Sequence, residues 1–323
     1  MTQIFAYITH KKGTADDSAL ELISAAKAID ADCHPTAIVL GSADEVNAVA
    51  AEMAKSYKEV ITVANDALSY PNAEIIRNVL PVILPSDAVL LVTHDTFGMD
   101  LSPGLSIKMD AAFTSDLIGF EGMQDGKLKV NRQEYGGVVS TRSLCDISSG
   151  AVLNVRAGVF EADESKSESG DIIDKSGDVK DFSTRRTFVE VLEAETGDVD
   201  ITKSEVLVSV GRGIEEEDNI EMVNELAEAM GADVSCSRPI VDAKWLEKSR
   251  QVGTSGQTVK PKVYLAFGIS GSFQHMGGLK GNPFIIAVNK NANSPIFQVA
   301  DIGVVSDILD FIPVLTEKIE DAQ

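Results

Sequence analysis

Four short segments in the last third of the chain combine glycine or serine with a few polar side chains. They read GRG (Gly211–Gly213), SCSRP (Ser235–Pro239), QVGTSGQT (Gln251–Thr258) and GISGSFQH (Gly268–His275). Glycine lets a backbone approach a ligand closely, and clustered amides are ready donors, so such loops suit an anionic, phosphate-bearing ligand. GISGSFQH is the sharpest of them. It follows the apolar run VYLAF and ends in Gln274 and His275, the only histidine after His94. An imidazole closing an amide-rich loop suits stabilisation of negative charge developing on a ligand. QVGTSG sets Thr254 and Ser255 between Gly253 and Gly256, and SCSRP offers the Ser237 hydroxyl and the Arg238 guanidinium at a strand end. GRG lies between the run VLVSV and a helical pattern, the context a phosphate loop requires. The full GxGxxG pattern is absent, however, and Glu215, Glu216 and Glu217 follow at once. Taken singly, GRG reads as a tight turn presenting Arg212, SCSRP as a surface arginine and QVGTSG as a flexible loop.

The rest of the chain offers little reactive chemistry. No nucleophile sits beside a paired base, so a hydrolase triad is unsupported. Cys33, Cys145 and Cys236 are far apart with no CxxC, which argues against a thiol redox pair or a zinc or iron–sulfur site and fits a reducing compartment. Asp16–Asp17 and Asp171/Asp174 read as solvated faces rather than metal sites. A net charge of −22 disfavours nucleic-acid binding and suits solubility or the orientation of a basic partner. The N-terminus lacks the pattern of a signal or transit segment, and no apolar run approaches the roughly 20 residues that span a bilayer. The expectation is a cytoplasmic protein without membrane insertion.

The 323 residues favour two domains. Strands are expected at Ile4–Thr9, Thr36–Leu40, Glu59–Ala64 and Ala88–His94, with helical spacing between them. Leu20, Ile23, Ala26 and Ile29 recur at intervals of three and predict one buried stripe. Apolar strands alternating with helices imply a parallel sheet covered on both faces. His10 and His94 close two of these strands, at the end where open α/β sheets bind ligands. From about Ala111 the texture becomes β-rich, through KLKVNRQEY, GGVVSTRSL, AVLNVRAGVF and RRTFVEVLEAE. The acidic stretch Glu161–Asp181 reads as an exposed loop, and Glu195–Glu205 as a polar linker. Alternation then returns, with strands at Val206–Val210, from Val234, and at Val263–Phe267, Phe284–Val288 and Ile302–Val305, and a helix at Asp218–Met230 capped by Gly231. The expected fold is α/β in two domains, 1–196 and 197–323, with the boundary near Thr196.

In order and combination, these segments resemble the alpha subunit of electron-transfer flavoproteins. The matching runs are SVGRGI, CSRPIVDAKWLEKSRQVGTSG, LAFGISGSFQHMGGLK, AVNK and SPIFQVADIGVVSDI, with looser matches at TSDLIGFE (Thr114–Glu121) and VLNVRAGVF (Val152–Phe160). The resemblance implies an N-terminal nucleotide-hydrolase-like α/β domain that contacts a beta subunit, and a C-terminal FAD-binding parallel-sheet domain. It implies that Arg212, Ser237 and Arg238 line the FAD site, with Arg238 against the isoalloxazine. Val252, Gly253, Thr254 and Ser255 would lie beside the flavin, Ser255 near N5. Ser270, Gly271, Ser272, Phe273, Gln274 and His275 would wrap the ribityl–pyrophosphate region and the pyrimidine edge, with His275 near O2. Asn289 and Asp307 would hold the adenosine end. One departure is visible: many members carry Gln in the GQ[ST]G loop where this chain has Thr254, a shorter side chain that removes a contact.

This assignment agrees with the missing acid–base and nucleophilic machinery, since a chain without redox-active side chains needs a cofactor to move electrons. The expected function is an electron carrier. It holds FAD, takes electrons singly from a flavin dehydrogenase and passes them to a downstream acceptor, as a heterodimer with a beta subunit. The rival is a subunit of an electron-bifurcating, NADH-oxidising flavoprotein. The beta subunit would hold AMP in the first case and a second FAD in the rival. A third reading is a nucleotide-binding regulatory module without redox activity.

Overall fold

A computed structural model describes residues 3–135, 139–166, 168–190 and 199–322. The chain forms two compact units, Met1–Val189 and Glu190–Gln323. The boundary expected near Thr196 lies outside the described residues.

The first unit is a nine-stranded sheet. Its strands are β1 (Ile4–Tyr7), β4 (Thr36–Gly41), β5 (Glu59–Ala64), β6 (Val89–Thr93), β7 (Ala112–Gln124), β8 (Lys127–Glu134), β9 (Val139–Cys145), β10 (Ala151–Val155) and β11 (Asp171–Asp174), and the hairpin β2 (His10–Lys11) with β3 (Thr14–Ala15) stands apart. The spatial order is β11-β5-β4-β1-β6-β10-β7-β8-β9, parallel up to β7 and antiparallel through β8 and β9. Helices α1 (Ser18–Ile29), α2 (Ala43–Met53), α3 (Ala73–Ile83) and α4 (Thr96–Met109) connect the early strands. β1, β4, β6 and β10 are buried almost throughout, as a sheet covered on both faces demands.

Three expectations for this unit are corrected. The buried face of α1 is Ser18, Ala19, Leu22, Ile23, Ala25 and Ala26, while Leu20 and Ile29 are only partly buried at its margin. The spacing i, i+3, i+4, i+7 follows the true helical period better than a repeat of three. The acidic stretch Glu161–Asp181 is not all loop: Asp171–Asp174 pairs in parallel with β5 and closes the sheet edge. RRTFVEVLEAE is not a strand over residues 185–190, and its remainder lies outside the described residues. Glu74 holds this segment instead, accepting from Thr184 Oγ1 at 2.9 Å and from the Arg185 amide at 2.8 Å.

The second unit is an all-parallel five-stranded sheet made of β12 (Val206–Val210), β13 (Asp233–Cys236), β14 (Val263–Phe267), β15 (Phe284–Asn289) and β16 (Ile302–Val305), in the order β13-β12-β14-β15-β16. Helix α5 (Ile220–Met230) follows β12, and Gly231 ends it at φ 60. Its start is later than expected, because Glu217–Asn219 forms a 3-10 turn first. The short helices α6 (Arg238–Asp242) and α7 (Phe273–Met276) and the terminal helix α8 (Ile308–Glu320) complete the unit. One sheet face presents Val208, Val210, Leu265 and Phe267 to α5 and α8. The other presents Leu207, Tyr264, Ala266 and Ala287 to Val252, Val259 and Ile269, which stand on loops, and to Ile296 on a 3-10 turn. Of the polar hinge expected at Glu195–Glu205, residues 195–198 lie outside the described residues, and Ile201 is fully buried in this second cluster.

Phe267 is buried against Phe311 of α8, ring centroids 6.3 Å apart. Phe267→Ala is expected to cost about 3–5 kcal/mol. Trp245, the only tryptophan, packs on the same cluster, so its fluorescence during urea unfolding reports this unit. An unshifted midpoint would contradict the core position of Phe267.

Candidate functional site

Because all five strands of the second unit run parallel, the loops that follow them share one sheet edge. The strand order reverses between β12 and β14, and ligands of open α/β sheets bind at such a switch point. GRG follows β12, Ser237 and Arg238 follow β13, GISGSFQH follows β14, Asn289 ends β15, and Asp307 follows β16. Sequence reading found each loop; the topology brings them to one place.

Backbone hydrogen bonds lock the loops together. Gly211 N donates to Phe267 O at 2.8 Å, and Gly213 N to Gly268 O at 3.2 Å. Ser237 N donates to Val210 O at 3.0 Å, Val252 N to Cys236 O at 2.9 Å, and Thr254 N to Gln274 O at 2.8 Å. Ile296 N donates to Ser270 O at 3.0 Å. Glycine is required where these backbones meet. A Cβ on Gly213 would stand 2.7 Å from Gly268 Cα, and one on Gly278 2.3 Å from Gly253 N. Gly253 itself sits at φ 143, where a side chain would also meet Gln274 O at 2.9 Å.

The rim left by this scaffold is polar. Arg212, Arg238, Thr254, Ser255, Ser270, Ser272, Phe273 and Gln274 are all exposed. Arg238 opens α6 with its side chain 71% exposed, 3.3 Å from Asp242. Ser237 is buried at the N-cap of α6. Gly271, at φ 77, leaves room for the Ile296 backbone.

Four of the expected residues are held by other groups of the protein. Val252 is 1% exposed, with its side chain in the core, so only its main chain reaches the loop surface. Both polar groups of Asn289 are engaged: Nδ2 donates to Ile269 O at 2.9 Å, and Oδ1 accepts from Asn291 N at 2.9 Å. Asp307 caps α8 through the Leu309 amide at 3.0 Å and pairs with Lys290 at 3.0 Å. His275 does not stand on the rim. It is 5% exposed, and its Nε2 lies 2.7 Å from the Tyr264 hydroxyl, which donates to Ser209 Oγ at 2.7 Å. Nδ1 is buried on the side of the Val252 backbone.

Sequence reading passed over Tyr264 and Ser209. Their signal was a polar residue inside an otherwise apolar buried strand, in VYLAF and VLVSV. It also missed that Lys290 bridges Glu215 at 2.6 Å and Asp307, so one of the three carboxylates after GRG is neutralised. Elsewhere, His10 Nε2 lies 2.8 Å from Leu40 O, and His94 lies 3.8 Å from Asp116, which Arg156 grips with two bonds of 2.7 Å. Both histidines belong to the first unit. Among the described residues, no cluster of His, Cys, Asp and Glu could hold a metal ion, and no helix is long and apolar enough to cross a membrane.

The donor set is two guanidiniums, four hydroxyl-bearing rim residues and a glycine cradle that added Cβ atoms would fill. It fits a dinucleotide whose pyrophosphate is anionic and whose ring edges accept hydrogen bonds. The fold is thus a parallel α/β unit with a polar rim of the kind that suits a dinucleotide, in a chain with a second, larger α/β unit. Residues 4–179 match the Electron transfer flavoprotein domain, and residues 200–280 match the Electron transfer flavoprotein FAD-binding domain. The electron transfer flavoprotein subunit alpha of Methylophilus methylotrophus is 33% identical over 96% of this chain and 97% of its own. A probable mitochondrial subunit alpha of Cryptococcus neoformans var. grubii is 31% identical over 97% and 90%. The Acetobacterium woodii "Lactate dehydrogenase (NAD(+),ferredoxin) subunit LctC" is 30% identical over 98% and 77%. The chain belongs to the electron transfer flavoprotein family, as an alpha subunit.

Burial pushes the His275 imidazole down to about 4, with the Val252 backbone opposing the shift. The folded chain therefore keeps it neutral where an unfolded chain, with a pKa of about 6.5, takes up a proton. As pH falls from about 6.5 to about 4 the unfolded state binds more protons, so stability is lost across that window and this group has no effect above it. His275→Gln should lose less thermal stability than the wild type between neutral pH and pH 5. Equal losses would mean that His275 is not the titrating group.

Proposed function

We propose that this chain holds FAD in its second unit and carries electrons from a flavin-containing dehydrogenase to a downstream acceptor, in the cytoplasm, as a heterodimer with a beta subunit. The observation that carries the reading is the backbone-locked set of loops on one sheet edge, within the segment that matches the family's FAD-binding domain. FAD, when bound, supplies the ability to take up and release electrons one at a time.

The chain's own part is binding and tuning. Arg238 would present positive charge to the isoalloxazine from its exposed position at the start of α6. The Ser255 hydroxyl faces N5. The main chain of Val252 and Gly253, with Thr254, forms the wall beside the ring. The segment from Ser270 to Gln274 follows the ribityl and pyrophosphate groups, with Arg212 nearby. His275 would lie near O2 as a neutral imidazole, because burial holds it unprotonated. Asn289 and Asp307 shape the adenosine end by fixing Ile269, Lys290 and the start of α8 rather than through free side chains. The first unit serves as the subunit contact, and the linker near Thr196 joins the domains 1–196 and 197–323.

Similarity to the LctC subunit over 98% of the chain favours one second reading, a bifurcating assembly whose beta subunit holds another FAD instead of AMP. Co-purified heterodimer should contain one FAD and one AMP. Two FAD per heterodimer, bleached by NADH, would reject the simple carrier. Arg238→Ala should lower the potential of bound FAD, since it removes positive charge that stabilises a reduced ring, while the fold stays intact. An unmoved potential in spectroelectrochemistry would remove Arg238 from the tuning role.

A further inference from the structure

Ser255 does not stand alone on the rim. The Gln251 carboxamide donates through Nε2 to its Oγ at 2.9 Å. Gln251 is 4% exposed, and its main chain is held on two sides. It bridges to Cys236 at the end of β13, and its carbonyl accepts from Gln257 N at 2.7 Å. Gly256 makes the return turn possible, since a Cβ there would lie 2.3 Å from the Gln251 carbonyl oxygen. The carboxamide is thus a fixed donor beneath an exposed hydroxyl.

A serine hydroxyl has one proton and two lone pairs. Once Oγ accepts the Gln251 N–H, its own O–H bond must point away from that nitrogen. Gln251 lies on the buried side, so the proton is turned toward the open rim. Without this contact, the hydroxyl rotates freely and spends part of its time as an acceptor toward the ligand or as a donor to the protein.

We propose that Gln251 is a positioning residue, whose carboxamide presets Ser255 as a hydrogen-bond donor toward the N5 edge of bound FAD and thereby raises the potential for the first electron. The proposal rests on the reading of Ser255 as the residue facing N5. A donor there stabilises charge added to N5, and its loss is felt as a lower potential.

The test uses the heterodimer with FAD bound, and its readout is the first one-electron potential. Gln251→Met keeps the length of the stem and removes the donor; Ser255→Ala removes the hydroxyl. Each is expected to lower the equilibrium constant for the first electron by roughly threefold to tenfold, the range of one net hydrogen bond. In the Ser255→Ala background, Gln251→Met should add nothing. An equal shift in both backgrounds would make Gln251 merely structural, and no shift from Gln251→Met beside a clear shift from Ser255→Ala would also overturn the proposal. If Ser255→Ala itself moves nothing, the N5 reading of Ser255 fails and takes the proposal with it. Should Gln251→Met fail to fold, Gln251→Glu keeps the shape and replaces the donor with an acceptor. Its effect, taken as the difference between the two Ser255 backgrounds so that the added charge cancels, is expected to be at least as large as that of Ser255→Ala. A zero difference would overturn the proposal.

Discussion

The site depends on a contact in which two backbones touch without side chains between them. Gly211 and Gly213 after β12 lie against Gly268 after β14, and a Cβ on Gly211 would stand 2.5 Å from the Gly268 carbonyl oxygen. Each glycine costs conformational entropy, of order 0.5–1 kcal/mol against alanine in a regular element. Two backbone hydrogen bonds and the burial of Ile214 and Ile269 offset that cost. The contact lies at the point where strand order reverses. Closing it lets the β12 loop pass beneath the β14 loop, which then reaches the QVGTSG segment through the bond from Thr254 to Gln274. Loosen the first contact and the remaining loops lose their common frame.

A second consequence follows from which groups cover the sheet. Most parallel sheets carry helices on both faces. Here α5 and α8 cover one face, while the other is covered by the loops that form the rim, through Val252, Val259, Ile269 and Ile296. Binding and stability are therefore coupled in the same residues, and a ligand that holds these loops adds to the stability of the unit by mass action. The same layering explains Tyr264, Ser209 and Ser235. They point from three adjacent strands toward the loop layer, where His275 descends to meet them.

Much of this was legible in the sequence. The five strands of the second unit stand close to where apolar runs between glycine loops place them, because a buried parallel strand is almost uniformly apolar. The loops were legible one by one through glycine, and their grouping through resemblance. What escaped was non-local. Asp171–Asp174 is exposed on both faces and is a strand only because β5 offers it an edge, so no periodicity marks it. Ile201 reads as part of a polar linker and is buried only by its partners. His275 has the same local context whether its ring faces a ligand or the core. Gln251 opens a flexible-looking loop, and only the return through Gly256 turns it toward Ser255.

The electrostatics bear on why such a chain needs so few reactive groups. Burial lowers the His275 imidazole and raises both the Tyr264 phenol and the Cys236 thiol, the last to about 12. All three are thereby moved away from neutrality and keep one protonation state across the physiological range. Lys290, between Glu215 and Asp307, removes negative charge from the rim of a strongly acidic protein, and Arg212 and Arg238 stay exposed there. Fixed donors and fixed positive charge shift the potential of a bound ring without exchanging protons with it. The proposed electron carrier would gain from rigid neutral groups, whereas an acid–base catalyst needs groups poised to titrate.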